Sequence, residues 1–459
     1  MTDQWRGRRV CVAGIGVSGA AAARVLLGLG AAVTVVDAGT GEAQQEQAAR
    51  LRDGGATVEL GEPGLPPDTE LVVTSPGWPP HAPLLASAAQ RGVEVIGEVE
   101  LAWRLRGADA APWLAVTGTN GKTTVVRMLA GMLVAAGHRA TAAGNVGTPI
   151  VDAVLAEPAY DVLAVELSSF QLHWSSSLRP AAATVLNVAP DHLDWHGSYA
   201  EYAAAKARIW GQGTRVVYNA DDAESLRLAD GRAGAVSFTL GEPAAGQLGV
   251  RAGVLVDRAF GTDVELAQVS AARPPAPHNV ANALAAAALA RAHGVPADAV
   301  AAGLHAFTPE PHRMAVVAEA GGVTFVDDSK GTNPHAVAAA LAAYDHVVWV
   351  AGGLLKGAMV DDVVRMHAHR LRAAVLLGRD RAVIAEALAR HAPNVPVAEV
   401  SATDTGVMDA VVAQAARFAR PGDTVLLSPA GASWDMFANY PARGDAFAAA
   451  ARRWVAAGE

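Results

Sequence analysis

Trp113-Leu114-Ala115-Val116-Thr117-Gly118-Thr119-Asn120-Gly121-Lys122-Thr123-Thr124 is the stretch that decides the fold. Trp113 to Thr117 is apolar and β-branched, which reads as a buried strand. Gly118 and Gly121 interrupt it, and an apolar helical run continues to about Ala136. A strand, a short glycine loop and a helix aim successive backbone N–H groups at a phosphate. Lys122 would reach the outer phosphates of a nucleotide, and the Thr123 hydroxyl would ligate Mg²⁺. The strict spacing asks for glycine at the position of Val116, so Gly118 leads a shorter loop here. The plainer reading is a glycine turn carrying a surface lysine.

Working back toward the N-terminus, the apolar run Arg9 to Ala13 meets a second glycine loop, Gly14-Ile15-Gly16-Val17-Ser18-Gly19. An alanine- and leucine-rich helical stretch follows to about Leu29. Val33-Thr34-Val35-Val36 then ends at Asp37, 18 residues after Gly19. This is the form of a dinucleotide fingerprint. Three readings of it stay open: a nicotinamide cofactor, another nucleotide-like ligand, or a structural turn. Further strands are expected at 71–74 and 93–96, and 104–112 reads as a linker.

Working forward, Glu166 closes the apolar run Val162 to Val165, and its carboxylate suits Mg²⁺, a hard oxygen-seeking ion. Asn187, Asp191, His192 and Asp194 follow a strand expected at 183–188. Alone, His192 reads as an ordinary loop histidine; beside a phosphate loop and Glu166 it reads as a site residue. Lys206 lies in a helical stretch and by itself reads as a solvated lysine. A strand at 214–218, short β segments in 235–275 and a helix from Ala281 to Ala292 come next. Pro309 and Pro311 then punctuate the chain. Beyond them, strands are expected at 323–326, 346–350, 373–377 and 424–427. Three polar clusters follow strand ends: Asp327 to Asn333, Gly352 to Gly357, and Ser428 to Ser433. Such positions line binding crevices in α/β sheets, and their Lys, Ser, Asp and Gly content suits an anionic ligand.

The chain has 459 residues, enough for about three domains. Half of it, 51%, is hydrophobic and 18% is charged, which excludes a disordered chain. The net charge of −9 argues against a general nucleic-acid binder. Cys11 is the single cysteine, so an internal disulfide and a Cys-rich zinc site are excluded. The N-terminal stretch makes a poor signal peptide, and the alanine-rich run 281–292 is too short for a bilayer. A cytoplasmic protein with no membrane insertion is the expectation. The repeated β–α alternation argues parallel sheets covered by helices.

Taken in order, these motifs resemble the Mur ligase family of ATP-dependent amide-forming enzymes of peptidoglycan synthesis. The carrying residues are Gly118 to Thr124, Glu166 to Leu172, Asn187 to Asp194, Lys206, His278-Asn279 with Asn282, His312-Arg313 and Asp328-Ser329-Lys330. Gly14 to Gly19, Ser75-Pro76-Gly77, Gly144 to Gly147 and Ser428 to Asp435 are similar to the family's D-glutamate-adding branch. The resemblance spans essentially the whole chain. It implies an α/β protein in three domains: Rossmann-like over 1–107, a central P-loop ATPase-type domain over 108–309, and a Rossmann-like α/β domain over 310–459.

The resemblance also implies roles. Residues Gly118, Thr119, Asn120, Gly121, Lys122, Thr123 and Thr124, with Asn282, Arg313, Asp328 and Lys330, would contact ATP. Thr123, Glu166, His192 and Lys206, the last as a carbamate, would hold Mg²⁺, with two ions expected. Lys122, His192 and Lys206 would be catalytic. Ser18, Asp37, Gly77 and Asn145 would meet UDP-N-acetylmuramoyl-L-alanine. Thr332, Lys356, Ser433 and Tyr440 would receive D-glutamate, and a monomer is expected. Three alternatives remain: a ligase for another amino acid, including the folylpolyglutamate type; an NAD-dependent oxidoreductase; and a nonenzymatic ATP-binding switch.

Overall fold

The structure is a computed structural model, and it describes residues 4–107, 109–401 and 406–458. Residue 108, at the expected first domain junction, lies outside them. The chain separates into two compact units, Met1–Ala272 with Val280–Phe307, and Arg273–Asn279 with Thr308–Glu459.

The first unit holds two sheets. One is five-stranded and all parallel, ordered Thr57–Leu60, Ala32–Asp37, Arg9–Ala13, Leu71–Thr74, Glu94–Gly97. Val10, Val12 and Val35 are fully buried in its core, as expected of strands covered on both faces. The first glycine loop joins Arg9–Ala13 to the helix Val17–Gly28. A Cβ on Gly19 would lie 1.9 Å from the Gly14 carbonyl oxygen, so only glycine lets helix and loop approach this closely.

The second sheet has nine strands. Its centre places Trp113–Thr117 between Ala182–Val185 and Val162–Glu166, all parallel. The helices Lys122–Ala135, Pro277–Ala292 and Ala297–Ala306 bury apolar side chains against it. The 235–275 region resolves into four short strands, of which Gln247–Arg251, Val254–Asp257 and Val264–Gln268 form an antiparallel edge.

The second unit carries a six-stranded sheet ordered Ala315–Ala320, Val323–Asp327, Thr424–Ala430, Val347–Gly352, Leu371–Leu377, Val397–Glu399. Only the first pairing is antiparallel. Val323–Asp327, Thr424–Ala430 and Val347–Gly352 are therefore parallel neighbours. The three polar clusters leave adjacent strands at the same end. No helix of the described residues is long and apolar enough to cross a membrane.

Candidate functional site

The glycine loop is fixed from beneath by Asn187. Its Oδ1 accepts from the Asn120 amide at 2.9 Å, its Nδ2 donates to the Asn120 carbonyl at 3.2 Å, and its own carbonyl accepts from the Thr119 amide at 2.9 Å. Gly121 has φ +87, and a Cβ there would lie 2.4 Å from Asn282 Oδ1. That tight, left-handed turn is a backbone cradle that any side chain would fill. Lys122 Nζ donates to Gly118 O at 3.0 Å and to Thr119 O at 2.9 Å. Thr123 and Thr124 are buried in the first turn of the helix Lys122–Ala135. The Thr119 hydroxyl pairs with the Tyr202 hydroxyl at 2.9 Å.

Glu166 ends the strand beside the loop and is 2% exposed. Its Oε1 accepts from Asn145 Nδ2 at 2.9 Å, whereas the buried Oε2 has no hydrogen-bond partner. Ser198 caps the helix Tyr199–Ala207, which carries Lys206 inward to 1% exposure. Lys206 Nζ donates to Gly118 O at 2.8 Å and lies 4.4 Å from the Tyr202 ring centroid. Burial, aided by the like charge of Lys122, pushes its pKa far below that of an ordinary lysine, against an opposing pull from Asp191. Lys206 is thus a buried amine whose charged form is disfavoured, rather than the solvated lysine its helix context suggests. His192 has φ +54 at the start of Leu193–His196, and its ring lies 4.7 Å from Phe170. Its amide donates to Asp191 Oδ1 at 3.0 Å.

The cradle fits a nucleotide phosphate. The unsatisfied Glu166 oxygen, the Thr123 hydroxyl and an amine able to become a carbamate fit Mg²⁺, which favours oxygen and keeps positions for phosphate and water. Among the described residues no cluster of three or more His, Cys, Asp or Glu gathers to hold a metal.

In the first sheet, both Asp37 oxygens are taken by backbone amides: Oδ2 by Ile15 at 2.8 Å and Oδ1 by Gly39 at 2.7 Å. This carboxylate shapes the glycine loop. Ser18 is half-buried and Gly77 is exposed in a turn closed by the Trp78 amide on Ser75 O. Asn145 lies instead just after the strand Ala140–Gly144 of the nine-stranded sheet, beside Glu166.

In the second unit, Asp328 Oδ2 accepts from the Ser428 hydroxyl at 2.8 Å, and burial pushes the Asp328 carboxyl up to about 7. Glu310 pairs with Arg313 at 3.3 Å and lies 3.5 Å from Lys330. Lys330 Nζ sits 5.3 Å from the Tyr440 ring. Ser433 is buried, Thr332 and Tyr440 are half-buried, and Lys356 is exposed with φ +53.

Sequence reasoning missed Arg443. It lies buried within the last helix and donates to Ser329 O at 2.8 Å, Ser329 Oγ at 3.0 Å and Gly431 O at 3.0 Å. It ties together the loops that carry Asp328 and Ser433, and burial lowers its pKa to about 10. A helical arginine near the end of a chain gives no sequence signal of this. Tyr202 was missed too, because a tyrosine on the helix Tyr199–Ala207 carries no local mark of its contact with Thr119.

Comparison with known proteins adds the following. Residues 8–97 match the Mur ligase MurD-like N-terminal domain, 116–290 the Mur ligase middle domain and 312–431 the Mur ligase glutamate ligase domain. The UDP-N-acetylmuramoylalanine--D-glutamate ligase of Streptomyces avermitilis is 61% identical over 461 residues, covering 98% of both chains. Its counterpart in Thermobifida fusca is 60% identical over 455 residues, 96% of this chain and 98% of the relative. The Mycolicibacterium smegmatis enzyme of that name is 50% identical, covering 98% and 97%. Among solved structures, the UDP-N-acetylmuramate-alanine ligase MurC of Thermotoga maritima aligns with TM-score 0.59 at 20% identity, covering 98% and 99%, a likeness of fold. The chain belongs to the Mur ligase family.

Proposed function

We propose that this chain joins D-glutamate to UDP-N-acetylmuramoyl-L-alanine with ATP, in the cytoplasmic stage of peptidoglycan synthesis, and that it acts as a monomer. The observation that carries this reading is 50–61% identity along nearly the whole chain with enzymes named for that ligation. Residues 1–107 would hold the UDP substrate, 108–309 ATP and Mg²⁺, and 310–459 the amino acid.

The backbone amides from Gly118 to Thr124 cradle the ATP phosphates in this reading. Lys122, which rests on two neutral carbonyls, exchanges them for phosphate oxygens and offsets charge on the transferring group. The acceptor's terminal carboxylate attacks the γ-phosphorus, ADP leaves, and an acyl phosphate forms. The D-glutamate amine attacks the acyl carbon, and the tetrahedral intermediate expels phosphate to leave an amide. Bound Mg²⁺ supplies charge neutralisation at the phosphates. Thr123, Glu166, His192 and Lys206 would hold two such ions. The Lys206 amine, whose charged form burial disfavours, would form an N–C bond with CO₂ from its uncharged form and lose a proton to solvent, which turns a donor into an oxygen ligand. Asn282, Arg313, Asp328 and Lys330 complete the ATP set. Thr332, Lys356, Ser433 and Tyr440 take D-glutamate, with Lys356 and the Ser433 hydroxyl suited to its carboxylates. Ser18, Asp37, Gly77 and Asn145 serve the UDP-muramoyl substrate, Asp37 by shaping its loop.

Phosphate release with UDP-N-acetylmuramoyl-L-alanine, ATP and a panel of amino acids tests this. Release dependent on D-glutamate is expected. Release with L-alanine or a diamino acid but not D-glutamate overturns the assignment.

A further inference from the structure

The loops after Val347–Gly352 and Thr424–Ala430 are bound to each other beyond their strands. The Leu354 amide donates to Ala432 O at 2.9 Å, and the Ala432 amide donates to Leu354 O at 2.8 Å. Two residues further along each loop stand Lys356 and Trp434. The left-handed turn at Lys356 follows a backbone held by Asp380, whose Oδ2 accepts from the Leu355 amide at 2.8 Å. The turn after Trp434 is held by Asp435, whose Oδ2 accepts from the Arg379 amide at 2.8 Å. Phe437 is buried beneath it and its amide donates to Ser433 O at 2.8 Å. Both backbones are therefore fixed from below, and the two side chains meet above them. Lys356 Nζ lies 4.3 Å from the Trp434 ring centroid. Trp434 itself is 66% exposed, so its ring contributes little to the core.

We propose that Trp434 is a positioning residue for the amino-acid substrate: its ring face holds the Lys356 ammonium in place for a substrate carboxylate. An aromatic face attracts a cation without bringing a counter-charge. A carboxylate in the same place would orient the lysine equally well but would compete with the substrate. The ring thus orders a long, mobile side chain while leaving its charge available. This role rests on the reading of Lys356 as the carboxylate-binding lysine.

The test is steady-state kinetics of the full-length enzyme with Trp434→Leu and Trp434→Phe. An exposed cation–π contact corresponds to about a two- to fivefold change in binding. Trp434→Leu should raise KM for D-glutamate by that factor and leave kcat and KM for ATP unchanged. Trp434→Phe keeps a π face and should recover part of the loss. An unchanged D-glutamate KM in Trp434→Leu overturns the proposal. So does a Phe variant as impaired as Leu, or an equal rise in both KM values, which marks a structural role. If the wild-type enzyme consumes a different amino acid, it is the functional reading that falls, and the same comparison is made with the amino acid used.

Discussion

Lys122 and Lys206 donate to the same acceptor, the Gly118 carbonyl oxygen, at 3.0 and 2.8 Å. Two lysines converging on one oxygen is unfavourable if both are charged. Burial, with the like charge of Lys122, disfavours the charged form of Lys206 and so eases the conflict. The two lysines thus sit in different electrostatic settings, Lys206 the one whose charge is disfavoured, so their variants should fail differently. Lys122→Ala should lower kcat by at least about 100-fold, the usual loss for a donor to developing charge, with no rescue by added carboxylates. Lys206→Ala should also lose activity, but formate or acetate should restore part of it by supplying the missing oxygen ligand. A fully active Lys122→Ala removes the ATP assignment, and an unaltered rate in Lys206→Ala removes that lysine from the site.

Asn187 holds the loop through two side-chain hydrogen bonds to Asn120. Each is worth about 1 kcal/mol net, so losing both should loosen nucleotide binding by roughly tenfold or more. Asn187→Ala should therefore raise KM for ATP by about that factor. KM for D-glutamate should barely move. Asn187→Asp keeps an acceptor for the Asn120 amide and should be less affected. Equal changes in both KM values would show general misfolding instead.

What could be read from the sequence follows burial. Trp113–Thr117, Val162–Glu166, Val347–Gly352 and Thr424–Ala430 are buried along their whole length and appear as apolar runs. The strands that went unread, Thr57–Leu60, Ala140–Gly144, Ala315–Ala320 and Val397–Glu399, are all sheet edges. An edge strand is paired on one side only and carries small or polar residues. Neighbours across the sheet, which no local window contains, place these segments in strands. The site divides the same way. Gly118 to Thr124 is local and was legible from its own residues. Lys206 is chemically generic on its helix, and only family likeness singled it out. Its burial depends on the fold around it, as does that of Arg443.

Glu166 carries an unpartnered carboxylate oxygen in a buried position. A buried carboxylate oxygen without a donor destabilises the metal-free protein. Glu166→Gln keeps a carbonyl oxygen for Asn145 Nδ2 and removes the charge. In EDTA, its melting temperature should match or exceed that of wild type. The Mg²⁺ concentration giving half-maximal activity should rise by at least about tenfold, on the scale of other losses at metal sites. Unchanged Mg²⁺ dependence would exclude Glu166 as a ligand.

Glu98 opens the helix Glu98–Arg104 at 3% exposure, and its Oε1 accepts from the Val151 amide at 3.0 Å. Burial pushes its carboxyl up from 4.5 to about 7, against the pull of that amide. The unfolded chain releases this proton near 4.5, whereas the native state keeps it until about 7. Between those values the native state binds more protons, so stability falls as pH rises through the window. Across the full span this amounts to roughly 3 kcal/mol. Glu98→Gln keeps the shape and the acceptor but cannot ionise. Its melting temperature relative to wild type should rise from near pH 5 to near pH 8 and then level off. A difference that does not vary with pH would show that folding is not linked to Glu98 ionisation. In that case the buried carboxylate is stabilised by more than the Val151 amide.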